Sequence, residues 1–156
     1  MDVNKVRGYL KKWGRENDIL EFDTSIATVE LAAQALGVEP ARIAKTISFK
    51  NNEDAMLIVA AGDAKMDNRK FKSEFGFKAK MLTPEENLEY IGYAVGGVCP
   101  FGVKSSIPIF LDISLKRFET VFPACGSSNS AIELTCEELE VYSSSKKWVD
   151  VCKGWE

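Results

Sequence analysis

Two extended apolar runs set the frame for this chain. Ile43 to Phe49 and Ala55 to Ala61 flank Asn51-Asn52-Glu53-Asp54, a turn-prone tetrad. Runs of this length and composition, bounded by Asn and Asp, read as neighbouring strands. Helical signals surround them. Val3, Val6, Leu10 and Trp13 recur at spacings of three and four, one stripe of an amphipathic helix. Ile19 to Phe22 reads as a short strand. Thr28 caps a helix through Val29, Leu31, Ala32, Ala35 and Leu36, stopped by Gly37 and Pro40. Asn68 to Phe75 is expected to be helical and to end at Gly76, with a strand at Lys78 to Leu82. Thr83-Pro84-Glu85-Glu86 opens another helix, with a proline at its first position and acids in its first turn, running to Gly92. Ile107 to Ile113, Val121 to Cys125 and Ala131 to Leu134 are expected to be extended. A capping box at Thr135-Cys136-Glu137-Glu138 starts a helix that closes the fold. The mixture predicts a mixed sheet flanked by helices, an α/β (mixed α+β) fold. No repeat or linker divides the chain, and 156 residues fit one domain, 1–156.

The absence of histidine restricts the chemistry more sharply than any motif. It removes Ser-His-Asp and Cys-His nucleophile pairs, His-ligated metals and an imidazole base. The four cysteines, at 99, 125, 136 and 152, form no C-x-x-C pair of the kind zinc and redox centres use, so free thiols are expected; no cofactor is expected. The first eighteen residues are interrupted by charges and read as neither signal peptide nor membrane span, which predicts a cytoplasmic protein. A net charge of −3 hides basic stretches: Lys5, Arg7, Lys11, Lys12 and Arg15, then Lys65, Arg69, Lys70, Lys72, Lys78 and Lys80. Such stretches permit contact with a polyanion, and they equally describe solvated helix faces.

Three places stand out chemically. Strand alternation puts Lys45 on the face of Ile43, Ile47 and Phe49, with Thr46 and Ser48 opposite. A lysine among core-facing residues is costly unless it lines a pocket, meets an acid or snorkels outward. Gly96-Gly97-Val98-Cys99-Pro100-Phe101-Gly102 forms a shaped loop whose backbone N–H groups suit a carboxylate, phosphate or ester oxygen, although a tight turn needs the same residues. Gly126-Ser127-Ser128-Asn129-Ser130 is a polar turn able to bind sugar hydroxyls or simply to reverse the chain. Glu133, between Ile132 and Leu134, faces away from them as an exposed acid. Cys99 has no base to activate it beyond a neighbouring Lys104, so a catalytic thiol is not expected.

In order along the chain stand Ala44-Lys45-Thr46-Ile47, Gly62-Asp63, the loop Gly96 to Gly102, and Ala124-Cys125-Gly126 leading into Ile132-Glu133-Leu134. This order resembles the YbaK/EbsC aminoacyl-tRNA-editing family, over roughly residues 2 to 142. The family includes Cys-tRNA(Pro) deacylases and the Ala-editing domain associated with prolyl-tRNA synthetase. The resemblance implies a strongly curved mixed sheet and hydrolysis of the ester joining a wrong amino acid to tRNA. It implies Lys45 as the catalytic residue, with no protein nucleophile and no metal. By the same resemblance the substrate-binding set is Phe22, Thr46, Gly96, Gly97, Val98, Cys99, Pro100, Gly126, Ser127 and Glu133. Some members carry tyrosine where Phe22 stands and serine where Cys99 stands. A lysine at its ordinary pKa of roughly 10.4 is protonated at neutral pH and anchors an oxygen rather than acting as a base. The implied partners are the acceptor end of misacylated tRNA and, as an addition the resemblance allows, prolyl-tRNA synthetase. No membrane partner is expected, and with no long apolar stripe left over, a monomer is. Alternatives from other classes are a catalytically silent module that binds a tRNA end or aminoacyl ligand, and a hydrolase of another small acyl ester.

Overall fold

In the computed structural model, which describes residues 2–155, the two apolar runs form the hairpin at the heart of a six-stranded sheet. The chain opens with helix α1 (Asp2–Leu10), which bears the Val3, Val6 and Leu10 stripe inward and continues as a 3₁₀ turn, Lys11–Trp13. Strand β1 (Leu20–Glu21) and helix α2 (Val29–Leu36) follow. Thr28 Oγ1 accepts a hydrogen bond from Leu31 N at 3.2 Å, and Gly37, at φ +68°, ends the helix.

The hairpin consists of β2 (Ile43–Asn51) and β3 (Asp54–Ala61), antiparallel, with Asn51 opposite Asp54. Asn52 takes the left-handed conformation, φ +60°, in the two-residue turn. Next come β4 (Lys65–Met66) and α3 (Asn68–Phe75), whose first amides are capped by Asp67 and whose end is Gly76. Helix α4 (Pro84–Glu86), with a Thr83–Glu86 capping box, widens into a π-type turn over Asn87–Ile91. The second half supplies β5 (Ile109–Asp112), β6 (Thr120–Pro123), β7 (Ser130–Ala131) and β8 (Leu134–Thr135). Helix α5 (Cys136–Ser143), β9 (Lys147–Val149) and β10 (Cys152–Lys153) complete it.

The sheet order is β8-β6-β2-β3-β5-β9, and only the β2–β3 and β6–β8 pairs are antiparallel. The curved mixed sheet with helices is the expected α/β class. Its central strand β3 is buried on both faces, with every residue from Ala55 to Ala61 at 1% exposure or less. That explains an unbroken apolar run where a half-exposed strand would alternate.

Three expectations differ from the structure. Lys78 to Leu82 is not a regular strand: Lys50 N donates to Lys80 O and Leu82 N to Ser48 O, so the segment covers an edge of β2 that β6 leaves open beyond Ala44. The run Ala131 to Leu134 is divided, because β7 pairs with β1 while β8 pairs with β6, and Ile132-Glu133 carries the chain between them. Helix α5 does not close the fold. β9 extends the sheet beside β5, and β10 pairs with β4.

Packing divides into a large core between sheet and helices and a smaller cluster of Ile26, Ala32, Ala33, Ile43, Phe122 and Ala131 beneath α2. All four cysteines are free, and no helix among the described residues is long and apolar enough to cross a membrane.

Candidate active site

A cleft of about 350 Å³ opens where the smaller apolar cluster meets the edge of β2. Strand β6 pairs with β2 only at Ile43 and Ala44. The following residues are therefore free of a strand on that side, and Lys45 and Thr46 both line the cleft although alternation sends them to opposite faces. The strand that buries Ile43 and Phe49 thus also contributes Lys45 to the lining of a cavity.

Lys45 is half-buried, and its Nζ donates to Ala64 O and, at 3.5 Å, to Gly62 O. Burial pulls its pKa below 10.5, opposed chiefly by the nearby Cys152, Asp63 and Glu30; the sequence-based expectation of an ordinary lysine is corrected accordingly. An ammonium has three donors, so two carbonyls leave one for a ligand. The segment holding those carbonyls is itself clamped. Gly62 packs so closely that a Cβ there would fall 2.1 Å from Pro40 O, and Arg117 grips both Asp63 oxygens at 2.6 and 3.0 Å.

The glycine loop supplies another part of the cleft wall. Gly96, at φ +94°, and Val98 line the cleft. Gly97 lies against the Gly126–Ser127 peptide, where a Cβ would meet Gly126 O at 2.7 Å; glycine is required by close approach of two backbones. Gly97, Gly126 and Ser127 line a second, more open hollow beside the first, sharing Val95 with it. The Gly97 amide, expected to face a ligand, donates instead to Ala94 O at 2.9 Å.

Other expected site residues stand elsewhere. Cys99 is fully buried beneath the loop, its thiol 3.9 Å from Phe101 O, and does not reach the cleft. Pro100 walls a separate notch with Tyr9 and Lys104. Phe22 does not line the cleft; its backbone exchanges hydrogen bonds with Asn129 and tethers the polar turn. Glu133 is exposed outside the cleft, accepting from Thr120 Oγ1 at 2.5 Å and Arg42 Nη2 at 3.3 Å. Phe22 packs against the smaller apolar cluster that borders the cleft rather than lining it.

The structure adds residues that sequence reasoning missed. Ser48 Oγ donates to Asn87 Oδ1 at 2.5 Å, a polar pair at the cleft boundary. Ser130, also on the cleft wall, is fully buried with its Oγ 2.6 Å from Ser127 Oγ; the expected Thr46 is there too, its Oγ1 buried without a hydrogen-bond partner. Met81 and Val95, 63% and 62% exposed, form an apolar rim. The conspicuous signal for Asn87 was its place in a helix-start segment, which points to capping rather than to a cavity. No group of three metal-ligating side chains exists among the described residues.

A protein-family model described as "Aminoacyl-tRNA editing domain" matches residues 23–141. An uncharacterised protein of Bacillus subtilis (strain 168), YwhH, is 59% identical over 157 residues, covering 100% of both chains. A protein of Enterococcus faecalis, EbsC, provisionally named as a Cys-tRNA(Pro)/Cys-tRNA(Cys) deacylase, is 28% identical over 114 residues, 72% of this chain and 70% of that one. A solved structure described as a candidate trans-editing enzyme for prolyl tRNA synthetase superposes with a TM-score of 0.88 at 30% identity, covering 98% of each chain.

Proposed function

The chain belongs to the aminoacyl-tRNA editing domain family, and from that premise we propose that it is a deacylase of misacylated tRNA. The substrate we assign is tRNA(Pro) bearing a small wrong amino acid, Cys or Ala. The observation that carries this reading is one cavity lined by both the half-buried Lys45 and the bent backbone at Gly96. The names of EbsC and of the trans-editing neighbour support the substrate class.

The reaction is hydrolysis. Water adds to the acyl carbon, negative charge develops on the carbonyl oxygen, and the ester C–O bond breaks to release the amino acid and the ribose hydroxyl. With no histidine in the chain, the contribution assigned to the protein is electrostatic. The third donor of Lys45, its ammonium fixed by two carbonyls, stabilises the developing oxyanion. The apolar wall of Ile26, Ile43 and Phe122 takes the aminoacyl side chain and limits its size, a steric sieve.

The test is deacylation of a panel of mischarged tRNAs by wild type and Lys45→Ala. Loss of turnover in the variant, with binding retained, is expected. Equal turnover removes Lys45 from the mechanism, and binding without any turnover in the wild type replaces the deacylase with a silent binding module.

A further inference from the structure

The cations of this chain are not equally committed. In the N-terminal basic stretch Arg7 pairs with Glu21, and Arg15 with Asp18 and Glu138. Elsewhere Lys50 pairs with Glu86, Lys70 with Asp150 and Lys147 with Glu74. Lys12, Lys104 and Lys146 differ. Far apart in sequence, they line one notch of about 340 Å³, together with Tyr9, Pro100 and Ser144. No carboxylate lines it, and none of the three forms an ion pair among the described residues.

The fold brings them together by identifiable contacts. The Lys12 ammonium lies 4.4 Å over the Tyr9 ring and 5.8 Å from that of Trp13. Tyr9 OH donates to Tyr142 O, fixing this flank of α1 against the end of α5. There Ser144, at φ +54°, turns the chain, and Lys146 N is held by Ile109 O at 2.7 Å. Lys104 comes from the loop before β5, held by the Ile107 N–H on its carbonyl. Lys5 extends the patch, its ammonium 4.6 Å over the Tyr93 ring and its stem beside Gly102.

Three uncompensated cations in a concave site concentrate positive potential on a chain of net charge −3. The notch also adjoins the cleft through one segment: Gly96 and Val98 wall the cleft, and Pro100 walls the notch. Four residues of extended backbone span at most about 14 Å. That is about the rise of four nucleotides along one strand. We infer that the notch of Lys12, Lys104 and Lys146 binds phosphodiester groups of the RNA strand whose acylated end occupies the cleft. This rests on the deacylase reading for the identity of the strand. Of the two basic stretches in the sequence, it selects part of the first and adds two lysines from outside both.

The probe is a fluorescent RNA minihelix with an acceptor stem and a single-stranded CCA end, followed by anisotropy. The variant is Lys12→Gln/Lys104→Gln/Lys146→Gln. A control of equal charge change on another face is Lys72→Gln/Lys78→Gln/Lys80→Gln. All six lysines are exposed, and unchanged melting of both variants verifies folding. The notch variant is expected to bind at least about tenfold more weakly at ~0.1 M salt, and to lower the slope of log affinity against log salt by about two. The control is expected to lose less than about threefold. KM for mischarged tRNA should rise at constant kcat, and hydrolysis of an aminoacyl-adenosine should be unchanged.

Equal weakening in both variants, or undiminished affinity in the notch variant, overturns the site. Displacement of the minihelix by millimolar inorganic phosphate at constant ionic strength overturns its assignment to a polynucleotide. Wild-type binding through the notch without ester hydrolysis supports the phosphate site and removes the deacylase reading. Normal deacylation with full affinity in the notch variant does the reverse.

Discussion

Gly97→Ala tests the idea that the cleft depends on two backbones in contact. A Cβ at this position would lie 2.7 Å from Gly126 O, 2.8 Å from Gly126 C and 2.9 Å from Ser127 N, and ordinary contact begins at 3.4 Å. All three neighbours are backbone, so no side-chain rotation relieves the clash. The glycine loop and the polar turn must part by roughly 0.7 Å, an overpacking cost of about 2 kcal/mol. In a domain of this size that lowers Tm by ~6 °C. The displaced loop carries Gly96 and Val98, which line the cleft together with Lys45. Misplacement approaching an ångström costs up to about a hundredfold in rate, so kcat/KM for a mischarged tRNA should fall roughly ten- to a hundredfold. Gly8→Ala is the matched control. Gly8 lies in α1 with nothing within 4 Å of a Cβ, and the same methyl should stabilise by about 0.5–1 kcal/mol without affecting turnover. Differential scanning fluorimetry and deacylation kinetics on both variants give the answer. Wild-type Tm and turnover in Gly97→Ala would refute the reasoning.

Arg117→Gln should reduce kcat about tenfold with little change in KM, because Arg117 holds Asp63 between the two carbonyls that fix Lys45. Arg117→Lys should restore only part of the loss, since a point charge cannot reproduce the two-pronged grip, and full rescue would deny that role. Burial lowers the Lys45 pKa, so between that value and 10.5 the unfolded chain binds more protons. Stability from this group therefore rises with pH across that window, whereas turnover that uses the ammonium falls. A kcat/KM profile whose alkaline limb bends only at or above pH 10.5 would contradict this. Cys152 behaves oppositely: burial first, then Asp112, pushes its pKa from 9.0 to about 12, so its stabilising contribution is complete below pH 9.0 and is lost as pH climbs toward about 12. Cys152→Ala should flatten that alkaline decline in the urea midpoint, and an unchanged decline would assign it to other groups.

Much of the fold was legible from local chemistry. Thr28 and Gly37 delimited α2, Gly76 ended α3, and the Asn51-Asn52-Glu53-Asp54 tetrad marked the tight turn of the central hairpin, because caps and turns are satisfied by residues a few positions away. The break in Ala131 to Leu134 and the strands after α5 were not legible, since their partners, β1, β6, β5 and β4, are remote in sequence. The site divides in the same way. Lys45 in an apolar strand and a glycine-rich loop are anomalies visible in one dimension, and Gly96, Val98 and Thr46 share the cleft with Lys45. Cys99, Pro100, Phe22 and Glu133 lie outside it.

Taken alone, the residues determined that this chain has no imidazole chemistry, that its central strands are apolar, and that Lys45 stands where a cation is costly. The tertiary structure decided where that amine points, which glycine approaches a second backbone, and which lysines lack a carboxylate. Side-chain direction and charge compensation are set by neighbours brought from distant parts of the chain. Composition and spacing carry no record of which neighbour arrives.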